Sequence, residues 1–349
     1  MSSSLVLFRV DATAAMGMGH LMRCRAIAEA ITEQGGTVVF AMVDPLPAAQ
    51  AMMAAIPAQL IALPGPANSK DDLVALRELM RVLRPRITVV DGYHLDDAYL
   101  RAVAREAPLG VLWDSAEHQD VAADLIIDAS PNAPRDAYAA ISAQALLLLG
   151  PRMALIRRDI RHAAAQPQQA LAAREQVLIS FGGSDPLNLS MALLPLLRER
   201  LPANVGLTVL AGAAYAHHQD LQDLADKLSP AVRVVVNPPS VVPLFLGAGL
   251  VVSAAGGTIG ELVALGLPAL SVVVAQNQVA ASVDGPYPCV DGRTAAAPEH
   301  IATMAAAMWQ DLPGRERLVQ GLRGVVDGQG AVRVANALLT THFRERLAS

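Results

Sequence analysis

Leu5-Val-Leu-Phe-Arg-Val10 and Gly17-Met-Gly-His-Leu-Met-Arg23 form the stretch of sequence that decides the fold of this chain. The first segment is an apolar run, which is typical of a buried strand. From the second segment onward, apolar residues recur every three or four positions, as on one face of a helix, at Leu21, Cys24, Ile27 and Ile31. A strand that leads through a glycine-containing loop into a helix is typical of an α/β sheet. The stretch therefore predicts an α/β protein.

The Gly17-x-Gly19-His20 segment places a histidine beside the amino end of the predicted helix. Exposed backbone N–H groups and the helix dipole favour anions at such an end. The same dipole disfavours an imidazolium, so a histidine there tends to be neutral and able to accept a proton. With Arg23 nearby, the segment is a candidate site for cleaving or transferring a phosphate-linked group.

Length and composition narrow the class of protein. A chain of 349 residues is long enough for two domains that each bury a core. Hydrophobic residues make up 53 % of the chain and aromatic residues only 3 %, which suits α/β domains packed with small side chains. The net charge of −5 provides no general basic surface, so we expect no nucleic-acid partner.

The sequence also indicates a cytoplasmic protein without a metal or a cofactor. The opening Met1-Ser-Ser-Ser-Leu5 lacks the basic and apolar regions of a signal peptide. The most apolar stretch, 262–275, is too short to span a bilayer, so we expect no stable membrane association. Two cysteines, Cys24 and Cys289, make neither a disulfide framework nor a metal cluster. The sequence leaves any oligomeric partner open.

Apolar runs alternate with helical patterns along the chain, which predicts parallel sheets with helices on both faces. The runs of the first half lie at 5–10, 37–43, 59–63, 87–90, 109–113, 124–128 and 145–149. Those of the second half lie at 176–181, 205–211, 231–236, 249–253 and 268–274. We predict two Rossmann-like, doubly wound domains that face a cleft. The expected division is an N-terminal domain at 1–162, a linker at 163–175, a C-terminal domain at 176–325 and a C-terminal helix at 326–349 that packs on the N-terminal domain.

Ligands of open parallel sheets bind at the carboxyl ends of strands, so loops that follow strands hold the candidate site residues. The loop Phe181-Gly-Gly-Ser-Asp185 is one of these. Gly182 and Gly183 are predicted to line the cleft, because two adjacent glycines exceed what a turn needs. Asp185, which precedes Pro186, is predicted to be the N-cap of the next helix.

Two further loops of the second half carry polar candidates. Thr258 and Glu261 have the spacing of a capping box. Alternatively, Gly256, Gly257 and Thr258 present N–H groups to a diphosphate while Glu261 binds ribose hydroxyls, and spacing leaves both roles open for Glu261. The third loop, Gln276-Asn-Gln278, offers uncharged amides that suit sugar hydroxyl and acetamido groups, although a plain polar loop is the alternative.

In the first half, Asp91 and Asp114 follow strands. These carboxylates are predicted to pair with His20 or Arg23, to bind substrate, or to cap helices. His94 and His118 are weaker candidates for a functional role.

Taken together, the motifs resemble the PseG/SpsG family, whose best-known members hydrolyse UDP-2,4-diacetamido-2,4,6-trideoxy-β-L-altropyranose in pseudaminic acid synthesis. Order and spacing match across nearly the whole chain. The matching segments are Phe8-Arg9-x-Asp11, Gly17-x-Gly19-His20-x-x-Arg23, Asp91-x-Tyr93, Gly150-Pro-Arg-x-Ala-Leu-Ile-Arg157, Phe181-Gly-Gly-Ser-Asp185, Gly256-Gly-Thr-x-x-Glu261, Asn277-Gln278 and Asp327-Gly-x-Gly-Ala331-x-Arg333. The second half also resembles the UDP-binding domain of the MurG-type glycosyltransferases, which share the two-domain GT-B fold.

The resemblance implies a UDP-sugar hydrolase in which water attacks the anomeric carbon with inversion and releases UDP and the free hexose. It gives His20 the role of catalytic base, Tyr93 and Asn277 positions near the sugar, and Glu261 the contact to ribose. The substrate-binding residues are then expected to be Asp11, Gly17, Gly19, Arg23, Tyr93, Gly182, Gly183, Gly256, Gly257, Thr258, Glu261, Asn277 and Gln278.

The chain departs from the family pattern in two places. Ser115 follows Asp114 where a second aspartate is common, and Val283-Asp-Gly-Pro-Tyr-Pro-Cys289 stands where a regular helix and strand are usual. Two other function classes stay open. A GT-B glycosyltransferase would use the same UDP loops together with an acceptor site. A nucleotide-sugar-binding protein without catalysis would not need His20.

Overall fold

The computed structural model describes residues 4–13, 17–228, 231–279, 282 and 285–343. The chain forms two compact units, one made of Met1–Arg158 with Gln329–Ser349 and the other of Asp159–Gly328. The segment 163–175, where a linker is expected, therefore lies within the second unit. Residues 1–3 and residues 344–349 of the expected C-terminal helix lie outside the described residues.

Strands and helices alternate along both units. The strands are β1 (Leu5–Val10), β2 (Thr37–Val43), β3 (Gln59–Leu63), β4 (Ile87–Asp91), β5 (Leu109–Leu112), β6 (Leu125–Asp128), β7 (Leu146–Leu149), β8 (Gln176–Ser180), β9 (Gly206–Ala211), β10 (Val232–Val236), β11 (Ala248–Ala254), β12 (Ala269–Val273) and β13 (Cys289–Asp291). The α-helices are α1 (Gly19–Glu33), α2 (Pro47–Ala54), α3 (Lys70–Leu83), α4 (Asp97–Glu106), α5 (Arg135–Ile141), α6 (Arg158–Ala164), α7 (Leu189–Arg200), α8 (His218–Leu228), α9 (Val242–Gly247), α10 (Thr258–Ala264), α11 (Ala297–Gln310), α12 (Leu312–Gly321) and α13 (Gly330–Thr340). Short 3₁₀ turns lie at Pro151–Met153, Leu171–Ala173 and Gln276–Gln278.

The first unit is built on a seven-stranded sheet in the order β3-β2-β1-β4-β5-β6-β7. All neighbouring strands run parallel. The side chains of β1 alternate between two buried faces, with Phe8 on one and Leu7 on the other. On the Phe8 face, the apolar stripe of α1 packs with Val334 and Leu338 of α13. On the other face Arg9, which is 0 % exposed, bonds Asp72 of α3 and Tyr99 of α4.

The second unit is built on a six-stranded parallel sheet in the order β10-β9-β8-β11-β12-β13. Its central strands are apolar and buried, with Val177 and Ile179 of β8 beside Leu250 and Val252 of β11 in one core cluster. Helices α7 and α11 cover this cluster with Leu193, Leu194 and Ile301, among others. The fold class expected from the sequence, two Rossmann-like parallel-sheet domains, is confirmed.

The strands agree with the apolar runs of the sequence, apart from β13. No strand is expected over 279–294, yet Cys289–Asp291 pairs in parallel with β12. Three residues are too few to show a periodic pattern, and only their pairing with β12 defines them as a strand. Residues 280, 281, 283 and 284 of the same atypical segment lie outside the described residues.

Each sheet has one point at which the strand order reverses. In the first unit β1 lies between β2 and β4, and in the second unit β8 lies between β9 and β11. The connections leave such neighbouring strands toward opposite faces of the sheet, which opens a crevice at the carboxyl ends of the strands. The loops that follow β1 and β4 therefore meet in the first unit, and those that follow β8 and β11 meet in the second.

Candidate functional site

His20 lies in the first turn of α1, directly beyond the carboxyl end of β1, and is 8 % exposed. Before it, the Gly17 N–H donates to the Thr13 carbonyl at 2.8 Å, and Gly17 has φ +76°. A side chain at position 17 would be strained in this left-handed conformation. The N-cap residue Met18 supplies no side-chain hydrogen bond. The first N–H groups of α1 are therefore not capped by Met18.

Asp91 holds the His20 ring. Its carboxylate is at the end of β4, beside the end of β1 in the sheet register, and the distance from Oδ1 to His20 Nδ1 is 2.6 Å. Arg23 donates to both oxygens of Asp91 at 2.6 Å, and the Cys24 thiol lies 3.5 Å from Oδ2. Burial raises the pKa of Asp91, but the Arg23 charge and the hydrogen bonds from Arg23 and His20 outweigh it and lower the pKa to about 2.

An ionised Asp91 determines which nitrogen of His20 carries the proton. Arg23 Nη2 is also 3.2 Å from His20 Nδ1, but a guanidinium only donates, so Nδ1 cannot accept from it while donating to Asp91. The shorter contact to a full negative charge favours Nδ1–H. Nε2 is then the nitrogen that can take up a proton, as a general base requires.

Arg23 links Asp91 to a second carboxylate. Its Nη1 donates to Asp114 at 2.7 and 3.0 Å, and the hydroxyl of Tyr93 donates to the same carboxylate. The Tyr93 ring meets His20 edge-on at a centroid distance of 4.7 Å. Burial lowers the pKa of Arg23, but the two carboxylates raise it well above its ordinary value. Asp91, Asp114 and Arg23 together carry two negative charges and one positive charge, and this net negative charge favours a reaction centre that becomes positive over a phosphate group.

Sequence reasoning names Arg23 and Tyr93 as substrate contacts and leaves the roles of Asp91 and Asp114 open. The structure pairs both carboxylates with Arg23, and Asp91 also with His20. Their position after strands is visible in the sequence. The sequence does not show which strands are neighbours in the sheet, and the structure supplies that order.

Asp11 was also predicted to bind substrate, and the structure places it beneath the site. It is 1 % exposed. Oδ1 accepts from the Val43 N–H at 2.7 Å, while Oδ2 lies 2.7 Å from both Arg9 Nη1 and His94 Nε2. Burial raises the pKa of Asp11, but the bond from His94 and the Arg9 charge bring it below its ordinary value. Direct contact with substrate stays a prediction, and the geometry favours a positioning role.

In the second unit, the exposed pair Gly182 and Gly183 follows β8. Gly182 has φ +80°, and Gly183 packs against the loop after β9, where its carbonyl accepts from the Ala214 N–H at 3.1 Å. A Cβ added at Gly212 would lie 2.4 Å from both Cα and O of Gly183. Position 212 in the neighbouring loop therefore also has to be a glycine, because any side chain there would overlap the Gly183 backbone.

Asp185 was predicted to be the N-cap of the next helix, with Pro186 in its first turn, and this prediction of the helix start is wrong. Helix α7 begins at Leu189, and Asn188 occupies the N-cap with a left-handed backbone. The Asp185 carboxylate nevertheless accepts from the N–H groups of Leu189 at 3.0 Å and Ser190 at 2.8 Å. Asp185 and Asn188 both have positive φ, and the turn that they make brings the carboxylate back over the helix start. Asp185 therefore stabilises the helix from outside the N-cap position.

A capping box that starts at Thr258, one of the two alternatives that the spacing left open, is not formed. The N-cap of α10 is Gly257, and Thr258 is already the first helical residue. Glu261 lies in the first turn of this helix and is 9 % exposed. Ser180 of β8 pairs in register with Ser253 of β11, so the Gly182 and Gly256 loops follow neighbouring strands at matching heights. Ligand contacts by Gly256, Gly257, Thr258 and Glu261 stay predictions.

The amide-rich loop lies beside the Gly256 turn. Residues Gln276–Gln278 form a 3₁₀ turn after β12, in which Gln278 Oε1 accepts from the Val274 N–H at 2.8 Å. Gln278 Nε2 would be 3.7 Å from a Cβ added at Gly256. Asn277 is exposed. The second and third predicted loops of this unit therefore form one polar surface.

Within the described residues, no group of three or more His, Cys, Asp or Glu side chains is arranged to hold a metal ion. None of the helices in the described part of the chain is long and apolar enough to cross a membrane.

No protein-family model matches the chain. Among curated proteins it is similar to the uncharacterized protein MJ1062 of Methanocaldococcus jannaschii, with 21 % identity over 204 residues. The match covers 56 % of this chain and 42 % of that protein, so it spans less than half the length of this relative.

Solved structures show the same architecture over nearly the whole chain. MnaA of S. aureus, solved with UDP, has a TM-score of 0.66 at 12 % identity, and the match covers 96 % of this chain and 95 % of the MnaA chain. MurG of Acinetobacter baumannii has a TM-score of 0.64 at 16 % identity, with coverage of 97 % and 99 %. UDP-GlcNAc 2-epimerase of Neisseria meningitidis, bound to UDP-GlcNAc, has a TM-score of 0.63 at 13 % identity, with coverage of 97 % and 100 %. This chain therefore has the fold of the GT-B glycosyltransferases and epimerases, as expected from its sequence.

Proposed function

We propose that this protein is a UDP-sugar hydrolase in which His20 activates water for attack on the anomeric carbon. The observation that carries this proposal is the 2.6 Å contact between His20 Nδ1 and the buried carboxylate of Asp91. A histidine that donates Nδ1–H to a fixed carboxylate presents Nε2 as a base, and the carboxylate stabilises the imidazolium that forms.

The charges around His20 support the departure of a nucleoside diphosphate. When the bond from the anomeric carbon to the diphosphate breaks, positive charge develops on the sugar. The carboxylates of Asp91 and Asp114 stabilise such a charge, and Arg23 holds them close together. UDP leaves as a stable anion, so this step needs little proton donation.

We assign nucleotide binding to the second unit. Gly182, Gly183 and Gly257 are exposed in loops at the point where its sheet order reverses, and the backbone N–H groups of such loops suit a diphosphate. Glu261 is assigned the ribose hydroxyls, and Asn277 with Gln278 the acetamido and hydroxyl groups of the sugar. The solved relatives MnaA and the Neisseria epimerase hold UDP and UDP-GlcNAc, which supports a UDP-sugar ligand here.

The proposed substrate is a UDP-linked 2,4-diacetamido-2,4,6-trideoxy-hexose, as in pseudaminic-acid-type nonulosonate synthesis. Support for it comes from the order and spacing of the motifs shared with the PseG/SpsG family. The competing proposal is a glycosyltransferase, which is supported by the structural similarity to MurG.

The test measures UDP release from UDP-2,4-diacetamido-2,4,6-trideoxy-β-L-altropyranose with no acceptor present. We expect release by the wild type and a decrease of about 10²- to 10⁴-fold in His20→Asn. The asparagine amide can still donate to Asp91 but offers no ring nitrogen, so UDP affinity should be retained.

His118→Asn is the matched control, because His118 Nδ1 makes the same kind of contact to Asp97 at 2.7 Å. No release by the wild type, or equal release by His20→Asn, would refute the hydrolase mechanism. Release that needs an added acceptor would favour a transferase, and a change of sugar configuration with no free hexose would favour an epimerase.

A further inference from the structure

His94 has no part in the chemistry proposed for His20, yet it makes two close contacts next to the site. Its Nε2 lies 2.7 Å from Asp11 Oδ2, beyond the end of β1. Its ring packs on Gly92, where an added Cβ would be 2.5 Å from Cε1 and 2.8 Å from Nδ1 of the histidine. His94 Nδ1 is buried with no hydrogen-bond partner among the described residues. The Nε2 atom of His94 thus bonds a carboxylate, while the ring fills the space that a side chain at Gly92 would occupy.

The carboxylate that receives His94 is itself held firmly. Asp11 accepts from the Val43 N–H and pairs with Arg9, which is 0 % exposed. Arg9 in turn bonds Asp72 at 2.8 Å and the Tyr99 hydroxyl at 3.1 Å. A buried charge network of this kind is costly to break, because removing one partner leaves an uncompensated buried charge. Asp11 is therefore a fixed anchor beneath the 92–95 turn.

The 92–95 turn carries Tyr93. It is closed by the Leu95 N–H, which donates to the Gly92 carbonyl at 3.2 Å. Tyr93 is 56 % exposed, so packing around its own side chain does little to fix it. Its ring still meets His20 at 4.7 Å and its hydroxyl bonds Asp114. The backbone of the turn therefore helps to place Tyr93, together with the contacts that its side chain makes with His20 and Asp114.

We propose that His94, through its bond to Asp11, is a positioning residue that fixes the 92–95 turn and thereby holds Tyr93 against His20. This inference rests on the proposed function, since His20 is the base whose surroundings are being positioned. It also gives Asp11 a role that is different from the predicted contact with substrate. The pair acts on the reaction through Tyr93 and not by touching the substrate.

The test compares His94→Leu, which removes the bond to Asp11, with His94→Gln, whose terminal amide can still donate. For UDP release we expect kcat to fall about 10- to 100-fold in His94→Leu with little change of KM, because displacing a group near the reaction by about 1 Å has that effect. His94→Gln should restore most of kcat. The matched control is Tyr138→Phe, which removes a 2.8 Å hydrogen bond to another buried carboxylate of the same unit, Asp128.

A second measurement does not depend on activity. In protein labelled with ¹³C,¹⁵N-histidine, the ring signals of His20, assigned with His20→Asn, report the edge-on Tyr93 ring. They should shift in His94→Leu, return toward the wild type in His94→Gln and stay unchanged in Tyr138→Phe. If His94→Leu does not fold, Gly92→Ala serves instead, because its Cβ would displace the His94 ring.

Unchanged His20 signals in His94→Leu would overturn the inference, as would an equal loss of kcat in Tyr138→Phe. Equal loss of kcat in His94→Gln and His94→Leu would also overturn it, since the ring itself would then be required. If the wild type releases no UDP but the His20 signals shift as expected, the proposed function fails while the positioning role stands.

Discussion

Replacing Asp91 by asparagine removes one negative charge from the carboxylate that joins His20 to Arg23. The side chain keeps its volume, but one of its two acceptor oxygens becomes an NH₂ donor that faces the donors of His20 or Arg23, so a hydrogen bond is lost together with the charge. Asp91 is 1 % exposed and receives hydrogen bonds from His20, Arg23 and Cys24. The expected result is a loss of both stability and UDP release.

The magnitude follows from the pKa of Asp91. Burial raises it, but the Arg23 charge and the hydrogen bonds from Arg23 and His20 lower it to about 2 from an ordinary 3.8. At about 1.4 kcal/mol per pKa unit, the ionised form stabilises the folded state by about 2 kcal/mol. Because the folded-state pKa is the lower one, this contribution is fully present above about pH 5, falls to about 1 kcal/mol at pH 3 and disappears below pH 2.

The assay is urea unfolding followed by circular dichroism at pH 7 and at pH 3. The free energy of unfolding of Asp91→Asn should lie at least about 2 kcal/mol below that of the wild type at pH 7, and the difference should shrink by about 1 kcal/mol at pH 3. Asp114→Asn is the matched control, because Asp114 shares Arg23 as partner but its side chain is 34 % exposed. An exposed pair contributes at most about 1 kcal/mol.

Parallel stability curves for the wild type and Asp91→Asn between pH 7 and pH 3 would refute this reasoning, because they would mean that the carboxylate titrates alike in the folded and unfolded chains. Equal losses in Asp91→Asn and Asp114→Asn would show that burial does not distinguish the two carboxylates.

Three other perturbations have definite outcomes. Gly212→Ala should lower stability by about 1–3 kcal/mol and weaken UDP binding in calorimetry, because its Cβ would overlap the Gly183 backbone, whereas Gly321→Ala, with open space around it, should not. Asp185→Ala should lower the free energy of unfolding by about 1–2 kcal/mol, because two N–H groups of α7 lose their acceptor. Asp185→Asn should recover part of that loss, and no difference between the wild type and Asp185→Ala in urea titrations would contradict the capping role. Glu261→Gln should raise the Kd for UDP about tenfold and change the Kd for inorganic pyrophosphate little, and an equal change in both would argue against a ribose contact.

The strands were predictable because parallel strands covered on both faces are continuous apolar runs. β1, β4 and β11 are buried at every or nearly every position, and their limits agree with the sequence pattern to within a residue or two. β13 escaped prediction because three residues carry no pattern, and only its pairing with β12 makes it a strand.

Local capping was harder to predict than the strands. Asp185 and Thr258 both have the residue types of helix starts, yet α7 begins at Leu189 and Gly257 caps α10. In the first case a turn with positive φ at Asp185 and Asn188 moves the helix start beyond the proline. Backbone conformations of this kind depend on the surrounding packing, so residue spacing did not reveal them.

The sequence by itself determined the fold class, the glycine loops and the histidine beside the first helix. These properties are local, because a strand, a loop and the start of a helix each depend on residues that are close together in the chain. Only the tertiary structure decided what His20 touches. Asp91 is 71 residues away from it in sequence, and the two meet because β1 and β4 are neighbours at the point where the order of the sheet reverses. Asp11, whose contact with substrate stays a prediction, is buried beyond the end of β1 by Val43 of β2 and by His94, which follows β4. The apolar runs give no information on which strands lie side by side, so the sequence alone could not reveal these contacts.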